Sequence, residues 1–212
     1  MYRQILNEVF LHLPKILIME LVFVTNNNYK LEEIRHILGE GFNIRSLNDI
    51  GFQEDIPEEQ PTLEGNASQK AFYIYNTFGV NCFADDTGLE IDALGGKPGV
   101  YSARYAGEEK NSEANMDKVL LKMAKIKNRK ARFRTVISLI IDGKETQFEG
   151  VVEGVILHEK KGRMGFGYDP VFKPDGFNET FAEMNLTTKN KISHRGLAMQ
   201  KLVQHLKTLR HE

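Results

Sequence analysis

Tryptophan is absent from this 212-residue chain, cysteine occurs once, and neither sign of charge dominates. The lone Cys82 excludes an intramolecular disulfide and favours a reducing compartment, so a cytoplasmic setting is expected. With 28 basic against 29 acidic residues, the chain lacks the basic excess of a general nucleic-acid binder. No apolar run reaches the ~20 residues of a bilayer span. The longest, Ile16 to Val24, is interrupted by Glu20. Neither nucleic acid nor membrane is therefore an expected partner. Internal repeats and low-complexity tracts are missing as well. What remains is a chain long enough to bury about 70% of its unfolded surface without a disulfide or metal staple.

Asn7, Glu8, His12 and Pro14 break the apolar stretch that would make a signal peptide. Residues 1–18 thus read as an N-terminal extension, or an upstream start, and residues 19–212 as a single domain. The sequons at Asn66, Asn178 and Asn185 read as chance matches, because a cytoplasmic chain does not meet the glycosylation machinery.

Strands and helices alternate in the first half. Leu21 to Thr25 reads as a buried strand, with Asn26 to Asn28 as a turn capping a helix. That helix carries Leu31, Ile34 and Leu38 on one stripe. Phe42 to Leu47 suggests a second strand, and Glu54 to Gln60 an acidic loop. Thr62 caps a helix with Ala67, Ala71, Ile74, Tyr75 and Phe78 inward, ending at Gly79. Cys82 to Asp85 and Leu89 to Asp92 read as strand pieces around a Thr87-Gly88 turn, and Gly95 to Gly99 as a loop. Met116, Val119, Leu120 and Met123 mark a further helix. Asp142-Gly143 between the runs Ala131–Ile141 and Glu145–Leu157 is a strong hairpin signal. A last helix follows Ser193, with Met199, Leu202, Val203 and Leu206 inward. The pattern predicts an α/β fold with a mixed sheet flanked by helices.

Several segments hold more polar chemistry than a scaffold requires. Thr25 to Lys30 joins a strand to a helix, where free N–H groups and the helix dipole make a phosphate seat. A plain asparagine cap beside a solvated lysine explains the same residues. In Asp85-Asp86-Thr87-Gly88, carboxylates at a strand end can hold Mg²⁺ or polarise water. Alternation along the strand lets only one of the two aspartates enter a site. An Asx turn is the plainer alternative. Asp-Thr-Gly is also an aspartic-protease signature, but a single copy would demand a dimer, and the helical patterning fits poorly with an all-β protease. Glu54, Asp55, Glu58 and Glu59 form either a solvated loop or, folded towards Asp86, the source of a metal-binding glutamate.

Gly165 to Pro170 offers two glycines that let backbone approach a ligand, with an aromatic able to stack on a nucleobase. A glycine-rich turn with a packed aromatic is the alternative. The third glycine of a dinucleotide fingerprint is absent, and so is a Walker motif. Ser193 as a helix cap leaves His194 and Arg195 in the first turn, where the helix dipole disfavours cations. A residue placed against local preference hints at function. Arginine offers donors and no acceptor, so near a purine it pairs with a 6-oxo group and not with a 6-amino group. From Lys110 to Arg134, nine Lys and Arg stand against Glu113 and Asp117. They read as a solvated helix face rather than a nucleic-acid patch.

Together these segments resemble the inosine/xanthosine triphosphate pyrophosphatase family, from Met19 to about Leu206. The specific stretches are Phe83 to Leu89 (Phe-Ala-Asp-Asp-Thr-Gly-Leu), Leu94 to Tyr105, Phe166 to Pro170 and Ser193-His194-Arg195, in register. The resemblance implies an elongated mixed sheet, two lobes with a cleft between them, and a homodimer. It implies that Thr25, Asn26, Asn27, Asn28, Tyr29 and Lys30 bind the triphosphate, with Lys70 reaching the phosphates. Glu58 and Asp86 would hold Mg²⁺, Asp86 also acting as general base. Thr87, Phe166, Gly167, Tyr168, Asp169, Lys189, His194 and Arg195 would contact the nucleotide.

Departures from the family pattern are local. Thr25-Asn26-Asn27 replaces Thr-Gly-Asn, so a positive φ, if needed, would fall on Asn26, a tolerant residue. Pro57 to Thr62 stands where Pro-Glu-Thr-Gly usually precedes the threonine. Gly65 replaces a common glutamate and removes a capping-box partner for Thr62.

The implied reaction is Mg²⁺-dependent hydrolysis of non-standard purine triphosphates (ITP, dITP, XTP) between the α and β phosphates. It releases the monophosphate and pyrophosphate. A related Maf-like pyrophosphatase of different base preference and an inactive nucleotide-binding module are the alternatives.

Overall fold

The computed structural model describes residues 19–38 and 42–209; residues 1–18, the expected extension, lie outside the described residues. In chain order the elements are β1 (Met19–Phe23), α1 (Asn28–Leu38), β2 (Phe42–Arg45), α2 (Leu63–Phe78), β3 (Cys82–Ile91) and β4 (Pro98–Gly99). There follow α3 (Ser112–Met123), β5 (Lys130–Ile141), β6 (Lys144–Ile156), β7 (Phe172–Pro174), α4 (Leu186–Ile192) and α5 (His194–Leu209). Among the described residues the strands make one seven-stranded sheet in the order β2-β1-β3-β5-β6-β7, with β4 paired to β3. β1 runs parallel to β2 and β3, while the β3–β5, β5–β6 and β6–β7 pairs are antiparallel. The sheet is therefore mixed, as the interrupted alternation predicts. No helix among the described residues is long and apolar enough to cross a membrane.

Local chemistry accounts for most element ends. Thr62 Oγ1 accepts from the Gly65 N–H at 3.0 Å and opens α2, which Gly79 closes at φ 64°. Asp142 (φ 49°) and Gly143 (φ 78°) make the two-residue hairpin between β5 and β6. Asn185, one of the sequons, caps α4 through Thr188 N–H, a short helix that the sequence patterning did not disclose. Ser193 Oγ accepts from the Gly196 N–H and starts α5.

β3 differs from the expectation. It is one continuous strand, with no turn at Thr87-Gly88. Gly88 pairs with Arg134 on β5, and a Cβ there would lie 2.7 Å from the Gly99 carbonyl oxygen on β4. The glycine serves close approach of a neighbouring strand rather than chain reversal. Gly88→Ala is expected to destabilise the fold by about 1–3 kcal/mol, because neither backbone can yield cheaply. A lowered urea midpoint at unchanged slope would show it; an unchanged midpoint would mean that β4 moves freely.

Apolar side chains gather at the two ends of the long strands. At one end Leu89 and Ile91 pack with Met116, Val119 and Met123 of α3, and with Phe172 and Phe181. At the other end β3 is covered on both faces. Phe83 meets Ala198 and Met199 of α5. Cys82 and Ala84 meet Ala71 and Ile74 of α2. The Cys82 thiol is buried, donates to the Ala71 carbonyl at 3.3 Å, and is pushed up to about 12 by that burial, so it is chemically quiet. Between the two apolar ends β3 carries Asp85, Asp86 and Thr87, the polar middle from which the site is built.

Candidate active site

A cavity of about 590 Å³ opens over this middle section, walled by α1, α2, the loop before α2, the Phe166 loop and the start of α5. Strand alternation sorts the two aspartates. Asp86 continues the face that α2 covers and lines the cavity, whereas Asp85 turns towards α1 and α5.

On the α2 side, Lys70 Nζ donates to Glu58 Oε1 and lies 3.4 Å from Asp86 Oδ1. Asn66 Nδ2 donates to Asp86 Oδ2 at 3.2 Å. The loop bearing Glu58 is pinned to the helix: Gln60 N–H donates to Asn66 Oδ1 at 2.9 Å, and Glu59 N–H to Gln69 Oε1 at 3.1 Å. Arg104 Nη2 adds a bond to the Glu58 carbonyl at 3.2 Å. Gly65 has a reason here too, since a Cβ on it would meet Gln60 Cβ at 2.7 Å. Burial pushes Asp86 above the usual carboxylate range despite Lys70 and Lys30. Burial would lower Lys70, but Asp86 and Glu58 outweigh it and hold the ammonium charged.

The Thr25–Lys30 segment is tied by its own side chains. Thr25 Oγ1 accepts from Asn27 N–H at 3.1 Å, and Asn27 Oδ1 accepts from Tyr29 N–H at 3.0 Å and Lys30 N–H at 3.2 Å. Asn26 does not take a positive φ; among the described non-glycine residues only Lys110 and Asp142 do. The side-chain ties shape the turn without a left-handed residue, so the missing glycine is not needed. Because the Thr25 and Asn27 side chains already occupy the Asn27, Tyr29 and Lys30 amides, the loop offers a phosphate the Lys30 charge more than those N–H groups.

The far wall is a buried chain of alternating charge: Lys30, Asp85, Arg195, Glu33, Lys189, Asp169. Lys30 Nζ donates to Asp85 at 2.9 Å and Arg195 Nε to Asp85 at 3.2 Å. Arg195 Nη1 also pairs with Glu33, and Lys189 Nζ joins Glu33 at 2.7 Å to Asp169 at 2.8 Å. Burial alone would raise Glu33 and Asp85. Arg195 and Lys189 beside Glu33, and Lys30 and Arg195 beside Asp85, outweigh it and hold both below the usual carboxylate range. These partners also explain how Arg195, 2% exposed, is tolerated in the first turn of α5. Its Nη2 reaches Thr87 Oγ1 at 3.2 Å.

Aromatic groups finish the pocket. Tyr168 is buried and its hydroxyl donates to the Ser102 carbonyl at 2.8 Å, so it builds wall rather than offering a free donor. His194 stacks on Phe133 at 4.4 Å, and among the described residues its buried Nδ1 has no hydrogen-bond partner. Burial, then Arg195 and Lys189, drive its pKa well below the ordinary value, so the ring is neutral. Asp169 Oδ2 accepts from Phe166 N–H at 2.8 Å and would lie 2.1 Å from a Cβ on Gly165, which restricts that position to glycine.

Residues 21–205 match the model of the Ham1 family. The chain belongs to the Ham1 family. A dITP/XTP pyrophosphatase of Flavobacterium johnsoniae is 54% identical over 87% of this chain and 96% of its own. The dITP/XTP pyrophosphatase of Bacillus subtilis is 47% identical over 88% and 96%. A solved HAM1 protein structure from Coxiella burnetii superposes with a TM-score of 0.83 at 36% identity, covering 90% of this chain and 100% of that one.

Within this Ham1 chain the cavity gathers Thr25 through Lys30, Glu58, Lys70, Asp86, Thr87, Phe166 through Asp169, Lys189, His194 and Arg195. Asp-Thr-Gly lies inside a paired strand, not at a catalytic loop, which removes the geometric basis of the protease alternative. Of the acidic loop, Glu58 and Asp55 line the cavity, and Glu54 and Glu59 do not. Asn66 and Glu33 were missed by sequence reasoning. For Asn66 a signal existed, since it stands one helical turn before Lys70 on the same face.

Proposed function

We propose that this chain hydrolyses non-standard purine nucleoside triphosphates (dITP, ITP and XTP) to the monophosphate and pyrophosphate. The family membership and the names of its relatives support the reaction class. The observation that carries it is the two-ended cavity: a buried carboxylate beside Lys70 and Glu58 at one end, and donor-only cations beside an aromatic ring at the other.

In this reading Lys30 and Lys70 offset the charge that develops on the phosphates, and Asp86 orients the attacking water and takes its proton. Glu58 and Asp86 are oxygen donors flanking one ammonium, a set that suits Mg²⁺, which binds through one or two carboxylates plus substrate phosphates. Bound there, the ion would polarise the phosphoryl oxygens. In the same reading the N–H groups that Lys189 and Arg195 do not spend on Glu33, Asp85, Asp169 and Thr87 would face a purine O6, where a 6-amino group would meet a donor instead. Such a buried mismatch costs about 1–3 kcal/mol. We carry the homodimer and the cytoplasmic setting as part of the same reading, on the family resemblance and on the quiet, reduced Cys82.

The test is pyrophosphate release from ITP, dITP, XTP, ATP and GTP, each with Mg²⁺ and with EDTA. Pyrophosphate from the first three, lost on chelation and small with ATP and GTP, is expected. Release of phosphate, or indifference to the 6-oxo group, would refute the assignment of the site.

A further inference from the structure

The family resemblance gives Tyr29 to the triphosphate, but its ring points elsewhere. Tyr29 sits in the first turn of α1, its N–H tied to Asn27, and it is 60% exposed. Its ring stacks on Phe166, centroids 5.5 Å apart and planes within 17°. Phe166 marks the base end of the cavity, because its centroid lies 4.9 Å from Lys189 Nζ and 5.4 Å from Arg195 Cζ.

We propose that Tyr29 is the outer wall of the nucleobase slot, and that a purine enters between its ring and that of Phe166. The inference rests on the reading of this cavity as a purine nucleotide site. The two walls differ in freedom. Phe166 is the more enclosed wall: its N–H donates to Asp169, which is itself paired with Lys189, and its half-buried ring has Lys189 Nζ and Arg195 Cζ over it. Tyr29 has a fixed backbone and a side chain with two torsions at the rim, so it is the wall that moves. A purine at about 3.5 Å from each ring needs the rings about 7 Å apart, a modest opening for an exposed side chain. Every base has a π-face, so such a wall adds affinity without choosing among bases. Base choice stays with Lys189 and Arg195.

The absence of tryptophan makes the test clean, because Tyr29→Trp creates a protein with a single indole reporter. It is titrated in EDTA with inosine monophosphate and, separately, with inorganic pyrophosphate. Binding of the monophosphate to the unsubstituted chain is measured by calorimetry. The expected result is saturable quenching by the monophosphate over the calorimetric range, with no response to pyrophosphate. In turnover, Tyr29→Ala is expected to raise KM for ITP and ATP alike by about tenfold, and Tyr29→Phe to keep it near the original. Equal quenching by pyrophosphate would return Tyr29 to the phosphate loop, as would calorimetric binding of the monophosphate to the Tyr29→Trp protein without any fluorescence change. If the unsubstituted chain takes up no monophosphate, the purine-site reading fails and the wall falls with it.

Discussion

Asp86→Asn is expected to lower turnover by about 10²- to 10⁴-fold, the usual worth of a positioned general base, while the protein stays folded. The substitution is nearly isosteric. The new amide oxygen can still accept from Asn66 Nδ2, and Lys70 keeps its bond to Glu58. The sign of the stability effect follows from the direction of the pKa. Burial raises Asp86 in the fold, so the folded state favours the protonated form, and stability is lost as pH rises through the raised value. A neutral amide removes that penalty at neutral pH, so the melting temperature is expected to hold or rise. Pyrophosphate release and a thermal melt on the same sample separate the outcomes. A near-normal rate would take Asp86 out of the mechanism, and a collapsed melt would mean that lost rate was lost fold. The same variant is expected to need more Mg²⁺ for its residual rate, since one of two proposed oxygen ligands has lost its charge.

Local chemistry was legible in the sequence, and what depends on distant parts of the chain was not. Thr62, Asn27, Ser193 and Asp142-Gly143 act on neighbours within a few residues, and each could be read from spacing. Gly88 misled for the opposite reason: Thr-Gly resembles a turn, but its cause is the Gly99 carbonyl on another strand. Glu33 could not be found because its partners are remote. Lys189 stands 156 residues away and Arg195 stands 162 away, and on α1 alone it is one more glutamate beside the apolar stripe. Arg195 was the visible half of that arrangement, a cation in a first helical turn. Its anomaly pointed correctly to a special environment, although the environment itself lay in three other elements. Asn66 reads in the sequence only as a chance sequon, and its value appears when α2 lies against β3 and its amide donates to Asp86. Residue types that carry charge or bend backbone announce a site, while the groups that hold them in place are fixed by packing.

Arg195→Ala carries the other large effect, first on stability. Removing one partner of a buried charge pair typically costs about 3–5 kcal/mol, because the remaining charge is left uncompensated. Here Glu33 and Asp85 each lose one of two cationic partners, keeping Lys189 and Lys30, and the buried cluster is left with one uncompensated negative charge. At about 2–4 °C per kcal/mol for a chain of this size, the melting temperature is expected to fall by roughly 6–20 °C. The loss should depend on pH in a definite sense. In the intact protein both carboxylates are held below their unfolded values, so their stabilising contribution is present above the unfolded pKa values and lost as pH falls through the lowered ones. Without Arg195 the two carboxyls rise and take up protons in the fold. The gap between variant and parent should therefore narrow as pH is lowered towards about 4. A gap that is flat in pH would mean that packing, not charge, was lost. Arg195→Lys separates stability from recognition, because it keeps the charge but not a guanidinium fork spanning Glu33, Asp85 and Thr87. It is expected to recover part of the melting temperature while the ITP-to-ATP ratio of kcat/KM falls by about ten- to a hundred-fold. An unchanged ratio in a folded Arg195→Lys protein would confine Arg195 to holding the buried charges together and leave base recognition to Lys189.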